Sequence, residues 1–163
     1  MAEWHEKSYV PLMKELIPLY TAEQGRPLSM AELEFGIVEG FWNLDAYPEP
    51  KDEVISDDGT NKHILRMYPI GVSAALVPWN YPLILTLWKV LPALLTGCTV
   101  IVKPSPFTPL MTLKYMLEAQ KHLPPGVLNV VVGNDGLGPM LTEHPNIDHV
   151  SCASSFCAPR TLI

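Results

Sequence analysis

The feature that most constrains this chain is the alternation that begins at Ile70. Val72 to Val77, Thr99 to Lys103 and Val127 to Val132 place Val, Ile, Leu and Ala at mostly consecutive positions, and Ile147 to Ser151 reads as a last strand. Between them lie segments of helical length and helical punctuation. Leu83 to Thr96 carries Pro92 and a kink is expected there; Thr108-Pro109 opens a helix running to His122; Leu137 to Glu143 stops before Pro145. Near-continuous apolar strands are covered on both faces, and strands separated by helices join in parallel. The expected fold class is therefore α/β: a partial doubly wound parallel sheet, Rossmann-like. In such sheets ligands bind at the carboxyl ends of the strands. That rule gathers three loops on one rim: Pro78-Trp79-Asn80-Tyr81-Pro82, Lys103-Pro104-Ser105, and the loop opened by Gly133.

Upstream, Pro11 to Gln24 reads as a helix stopped by Gly25 and followed by Arg26-Pro27. Ser29-Met-Ala-Glu32 has the form of a capping box, and Met30, Leu33, Ile37, Phe41 and Leu44 follow at helical spacing as the expected apolar face. Pro48 to Asp52 breaks the pattern. Val54-Ile55 and His63 to Met67 then flank Asp57-Asp58-Gly59-Thr60-Asn61, which fits either a β-hairpin or an acidic surface loop.

Composition excludes some classes. The chain has 163 residues, is 48% hydrophobic and 17% charged, and carries a formal charge of −6. No Lys/Arg cluster interrupts the acidic balance, so no nucleic-acid partner is expected. Pro82 to Gly97, the most apolar stretch, is shorter than the ~20 residues a membrane span needs and contains Lys89 and Pro92, so no membrane partner is expected either. Three cysteines make no disulfide framework, and the N-terminus lacks a signal architecture. Both point to a reducing, cytoplasmic setting.

Several residues could carry chemistry. Two prolines bracket Trp79, Asn80 and Tyr81, fixing φ on either side and removing two donors. Stiffness of that kind is useful where a side chain must be aimed. The Asn80 amide could donate to a developing alkoxide; its plain alternative is a turn asparagine capping the next helix. Lys103 ends a buried strand before Pro-Ser-Pro and could reach ribose hydroxyls or a phosphate, or be a solvated loop lysine. Gly133-Asn-Asp-Gly136-Leu-Gly138 sits where a phosphate loop would, though its spacing departs from G-x-G-x-x-G and a tight structural turn explains it equally well. His144, His149, Cys152 and Cys157 match no compact zinc spacing, so no metal is expected. Cys98 reads as a small buried hydrophobe.

The segment from Tyr68 to Leu110, YPIGVSAALVPWNYPLILTLWKVLPALLTGCTVIVKPSPFTPL, closely resembles the aldehyde dehydrogenase superfamily. So do LPPGVLNVVVG and EHPNIDHVS, and more loosely EQGRPLSMAELE and EVISDDG. The resemblance implies NAD or NADP as cofactor and a small-molecule aldehyde as substrate. Asn80 then matches the oxyanion donor, and Lys89 matches a helix lysine near the active site. Val77, Pro78, Trp79 and Asn80 form the corner beside the cofactor. Lys103 matches the lysine that holds the adenosine ribose, with Ser105 and Pro106 after it. Gly133 and Gly138 match the loop near the phosphates. The implied organisation is N-terminal helices over 1–50, an oligomerisation-type hairpin over 51–67, a partial dinucleotide-binding domain over 68–151 and a divergent tail over 152–163.

The departures are as specific as the matches. Pro106 replaces a glutamate that commonly shares the ribose hydroxyls, so nothing anionic repels a 2′-phosphate and the choice between NAD and NADP stays open. After the last strand, where the family reads Phe-Thr-Gly-Ser, this chain has Cys152-Ala-Ser154-Ser155, and only Ser155 keeps its position. The family's nucleophilic cysteine and general-base glutamate would stand beyond Ile163, and neither Cys152 nor Cys157 matches the nucleophile. The expectation is an aldehyde dehydrogenase-like fragment, inactive alone. Two alternatives remain: a non-catalytic protein that associates with itself or with a full-length relative, and an unrelated dinucleotide-binding module.

Overall fold

The computed structural model describes residues 9–153. Helix α1 (Val10–Gln24) ends at Gly25, whose φ of 72° is the left-handed conformation the sequence stop requires. Helix α2 (Leu28–Gly40) starts directly after Pro27, with no side-chain cap. The capping box expected at Ser29 therefore does not form, because Ser29 already lies within the first helical turn. The expected apolar face is also rotated. Met30, Leu33 and Ile37 are exposed, whereas Ala31, Glu34, Phe35 and Val38 are buried. Phe35 meets the Tyr20 ring edge-on at 6.2 Å, fixing that choice of face against α1.

Strands β1 (Glu53–Asp57) and β2 (Lys62–Leu65) pair antiparallel, with an irregularity between Val54 and Ser56. The Asp58 carboxylate accepts from the backbone of Thr60 (2.8 Å) and Asn61 (2.6 Å), and Gly59 supplies the positive φ of the turn. The hairpin exists, and it is also surface: every residue of both strands is exposed.

The remaining elements alternate as expected: β3 (Val72–Leu76), α3 (Pro82–Leu95), β4 (Thr99–Lys103), α4 (Pro109–Gln120), β5 (Leu128–Val130), α5 (Leu137–Thr142) and β6 (His149–Cys152). Helix α3 runs through Pro92 as one helix. The four strands form a parallel sheet in the order β5-β4-β3-β6. The first two crossovers step outward from β3, and the third returns to its other side, so the winding reverses between β3 and β6. With right-handed crossovers, α3 and α4 cover one face and α5 the other. Ala75, Val77, Val100, Val102 and Leu128 share a core with Leu83, Leu87, Leu91, Met111 and Met116, and α1 and α2 pack outside that layer. No described helix is long and apolar enough to cross a membrane.

Candidate functional site

The last rung between β3 and β4 is the Val77 amide donating to the Lys103 carbonyl at 3.0 Å. Pro78 cannot extend the ladder, so the chain leaves the sheet there and re-enters regular structure only at Pro82, in the first turn of α3. Trp79, Asn80 and Tyr81 lie exposed between the two prolines.

What holds this corner comes from the N-terminal helices. Gln24 Nε2 donates to the carbonyl oxygens of Trp79 and, at 3.1 Å, of Asn80. Arg26 Nη2 donates to the same Asn80 carbonyl, while Nη1 donates to Glu34 Oε2 at 2.6 Å. The guanidinium lies 4.5 Å from the Tyr81 ring centroid and 5.4 Å from that of Tyr20. Glu34 is 1% exposed, accepts the Tyr20 hydroxyl on Oε2 and receives the Ile84 amide on Oε1 at 3.2 Å. Burial pushes its carboxyl above the usual carboxylate range, outweighing the Tyr20 and Ile84 hydrogen bonds and the Arg26 charge. The Asn80 carbonyl is thus occupied, whereas its side-chain amide hydrogen-bonds to none of the described residues. The helix-cap alternative is not realised: the N-cap of α3 is Tyr81, and no side chain caps it.

Lys103 sits one strand away on the same rim, opposite Leu76 in the register. It is not a solvated loop lysine. It is 8% exposed, and among the described residues its ammonium reaches only the Pro104 carbonyl, at 3.4 Å. Ser105 is buried beside it and accepts the Phe107 amide at 3.3 Å, and Pro106 is exposed. The buried hydroxyl of Thr108 has no hydrogen-bond partner among the described residues.

The Gly133 loop shares this rim, because the Val131 amide donates to the Val102 carbonyl immediately before it. A Cβ on Gly133 would lie 2.9 Å from Leu137 Cδ2, so the glycine permits close packing onto α5. Gly138 faces open space. The amides that sequence reading left free for a phosphate are already bonded: Gly136 N to Asn134 Oδ1, Leu137 N to Asn134 O and Gly138 N to Asp135 O. This loop is first of all a self-satisfied turn.

Lys89 stands apart. Seven residues of helix put it about 10 Å along α3 from Pro82, where the Asn80 corner ends. There it donates to Ser151 Oγ at 3.0 Å, and burial lowers its pKa. It lines an open groove of about 290 Å³ at the β6 edge, with Ser73, Trp88, Cys98 and His149. Cys98 is buried and free, and it lies before β4, on the rim opposite Asn80. Cys152 is disulfide-bonded, which the cysteine count did not suggest. Ser155 and Cys157 lie outside the described residues.

Missing from the sequence reading as functional residues were Gln24, Arg26 and Glu34. A carboxylate between Ala31, Phe35 and Val38 on one helical stripe was the available signal, since buried glutamates are rare without partners.

Fold and rim define an open α/β sheet with a rigid loop and a buried cation above its carboxyl edge. Residues 12–160 match the family model described as "Aldehyde dehydrogenase family". The chain belongs to the aldehyde dehydrogenase family. It is 37% identical to the putative aldehyde dehydrogenase FUS7 of Gibberella fujikuroi, over 98% of this chain and 38% of that protein. Among solved structures it resembles the NAD-dependent aldehyde dehydrogenase of Sinorhizobium meliloti, with a TM-score of 0.77, 32% identity, and coverage of 86% of this chain and 29% of that one. It also resembles the betaine aldehyde dehydrogenase of Staphylococcus aureus in complex with NAD+, with a TM-score of 0.73, 29% identity, and coverage of 86% and 30%. The chain therefore spans well under half the length of the relatives it matches.

Proposed function

We propose that these residues form the cofactor-side half of a site for NAD(P)-dependent oxidation of an aldehyde to a carboxylic acid. The observation that carries this reading is the rigid corner, which presents an Asn80 amide without a partner among the described residues on the same rim as the buried, under-bonded ammonium of Lys103. The donors fit a dinucleotide. Lys103 Nζ and Thr108 Oγ1 are buried polar groups short of partners, as ribose hydroxyls would require. When bound, NAD(P)+ would supply the hydride acceptor. Asn80's part is to donate its amide to the carbonyl oxygen as negative charge develops there, a kind of contact whose loss costs ~10²–10³ in rate. Val77, Pro78 and Trp79 wall the nicotinamide side, and Pro106 leaves room for NADP as well as NAD.

Oxidation through a covalent intermediate also needs a thiolate near the carbonyl and a base that activates water. Cys98 does not meet the first need: β4 separates it from the Asn80 rim by about 16 Å at 3.3 Å per residue. Cys152 is at the rim but disulfide-bonded. These residues alone are therefore inactive as a dehydrogenase and contribute binding and oxyanion donation. Titration calorimetry tests the reading: NAD should bind, AMP should compete nearly as well, and Lys103→Ala should abolish both. Binding unchanged in Lys103→Ala refutes the site.

A second reading, association with another copy or a full-length relative, rests on the hairpin. Val54, Ile55, Ile64 and Leu65 are all exposed on β1 and β2. Exposed apolar strands of this kind drive association. Size-exclusion chromatography should give an oligomer that Ile55→Lys/Ile64→Lys converts to monomer; a wild-type monomer at high concentration counts against it.

A further inference from the structure

We infer that the elbow between α1 and α2, through Gln24, Arg26 and Glu34, is the positioning device for the Asn80 amide; this rests on the reading of Asn80 given above. Two prolines fix φ at positions 78 and 82, but they leave ψ at Trp79 and both torsions at Asn80 free. Orientation of those peptide planes must come from hydrogen bonds. The ladder ends at the Val77 amide, and the helix ladder begins with the Leu85 amide donating to the Tyr81 carbonyl. Between them the carbonyls of Trp79 and Asn80 are bonded by Gln24 and Arg26. Pinning the Asn80 carbonyl fixes the plane between residues 80 and 81, and with it the direction in which the Asn80 side chain leaves the chain.

Glu34 makes the device one unit. It aligns the guanidinium through Nη1 and holds the Ile84 amide in the first turn of α3, so loop and helix entry are referenced to one buried carboxylate. The planar fork of arginine addresses Glu34 and Asn80 at once, and the flanking Tyr20 and Tyr81 rings limit its rotation. A lysine could keep the charge but not both directions. Arg26, Gln24 and Glu34 are positioning residues, acting on the reacting groups only through Asn80.

The test is conformational and uses the full ¹⁵N-labelled chain. The Asn80 side-chain amide pair is assigned by its loss in Asn80→Asp, and hydrogen exchange is followed at Ile84 and Leu85 against β3 and β4 as reference. In Arg26→Met the Asn80 pair should move to the position of a free asparagine. Exchange at Ile84 and Leu85 should rise about tenfold, the worth of one charge-assisted hydrogen bond, while β3 and β4 stay protected. Arg26→Lys should restore the protection of Ile84 but not the Asn80 signature. Gln24→Ala, which leaves the Arg26–Glu34 pair intact, should move the Asn80 signature in the same direction, and it carries the test if Arg26→Met does not fold. An Asn80 signature unmoved in Gln24→Ala overturns the inference. So does acceleration spread evenly over the sheet, the mark of a merely structural role. Cofactor titration of Lys103→Ala in parallel separates the two readings. An unmoved corner with binding lost in Lys103→Ala refutes the positioning and keeps the site; a moved corner with binding unchanged refutes the site and keeps the positioning.

Discussion

Replacing Lys103 by methionine should make the protein more stable and unable to bind cofactor. The side chain is 8% exposed, and its ammonium has one long contact, 3.4 Å to the Pro104 carbonyl. Desolvating a cation costs several kcal/mol even after relaxation, and a single hydrogen bond to a charged group returns only about 1.5–3 kcal/mol. Methionine has similar length and flexibility, so it fills the same space without the charge. A net gain of about 2 kcal/mol follows, or about 4–8 °C in Tm for a chain of this size. The ligand supplies the opposite sign. At a hundredfold excess over Kd, NAD should stabilise the wild type by about 2.7 kcal/mol and leave Lys103→Met unmoved. Thermal and urea unfolding, each with and without NAD, give all four values. A variant less stable than wild type, with the NAD shift retained, would show that Lys103 is a structural cation and refute the reasoning.

Gly71 and Gly126 share a positive φ (122° and 83°) but differ in surroundings. A Cβ on Gly71 would fall 2.2 Å from Asp148 Oδ2, which accepts the Val72 amide at 2.8 Å, whereas Gly126 has nothing within 4 Å. Gly126→Ala should cost about 1–2 kcal/mol and Gly71→Ala about twice that, read by urea midpoints; equal costs would remove the β3–β6 clamp from the account. An assay of NAD(P)H formation with aliphatic and aromatic aldehydes should give no turnover for the chain alone. Steady turnover that vanishes on mutating Cys98, Cys152 or Cys157 would make that residue the nucleophile.

The parallel sheet was legible because its strands are short, near-continuous apolar runs separated by segments of helical length, and its two central strands, β3 and β4, are the most buried. Strand ends were less so: β5 spans Leu128–Val130 where Val127 to Val132 looked equally apolar, because β5 is an edge and only β4 fixes its register. Helix α2 shows a deeper limit. Met30, Leu33 and Ile37 have the better apolar spacing, yet Glu34 turns inward with Ala31, Phe35 and Val38. Local pattern favoured one face, and tertiary contacts selected the other: the Tyr20 ring against Phe35, and the Ile84 amide, 50 residues away, on Glu34. Sequence periodicity carries no trace of such a long-range pairing. The same logic applies at the rim. The prolines around Asn80 announced a stiff loop, but stiffness alone has no direction. Direction enters through Gln24, Arg26 and Glu34, so the amide's aim depends on two helices about 50 residues earlier in the chain. A buried glutamate whose burial opposes its ionisation is a poor choice for stability alone. Its burial makes sense where a fixed geometry matters more than the energy it costs, and the corner it holds presents the Asn80 amide without a partner among the described residues.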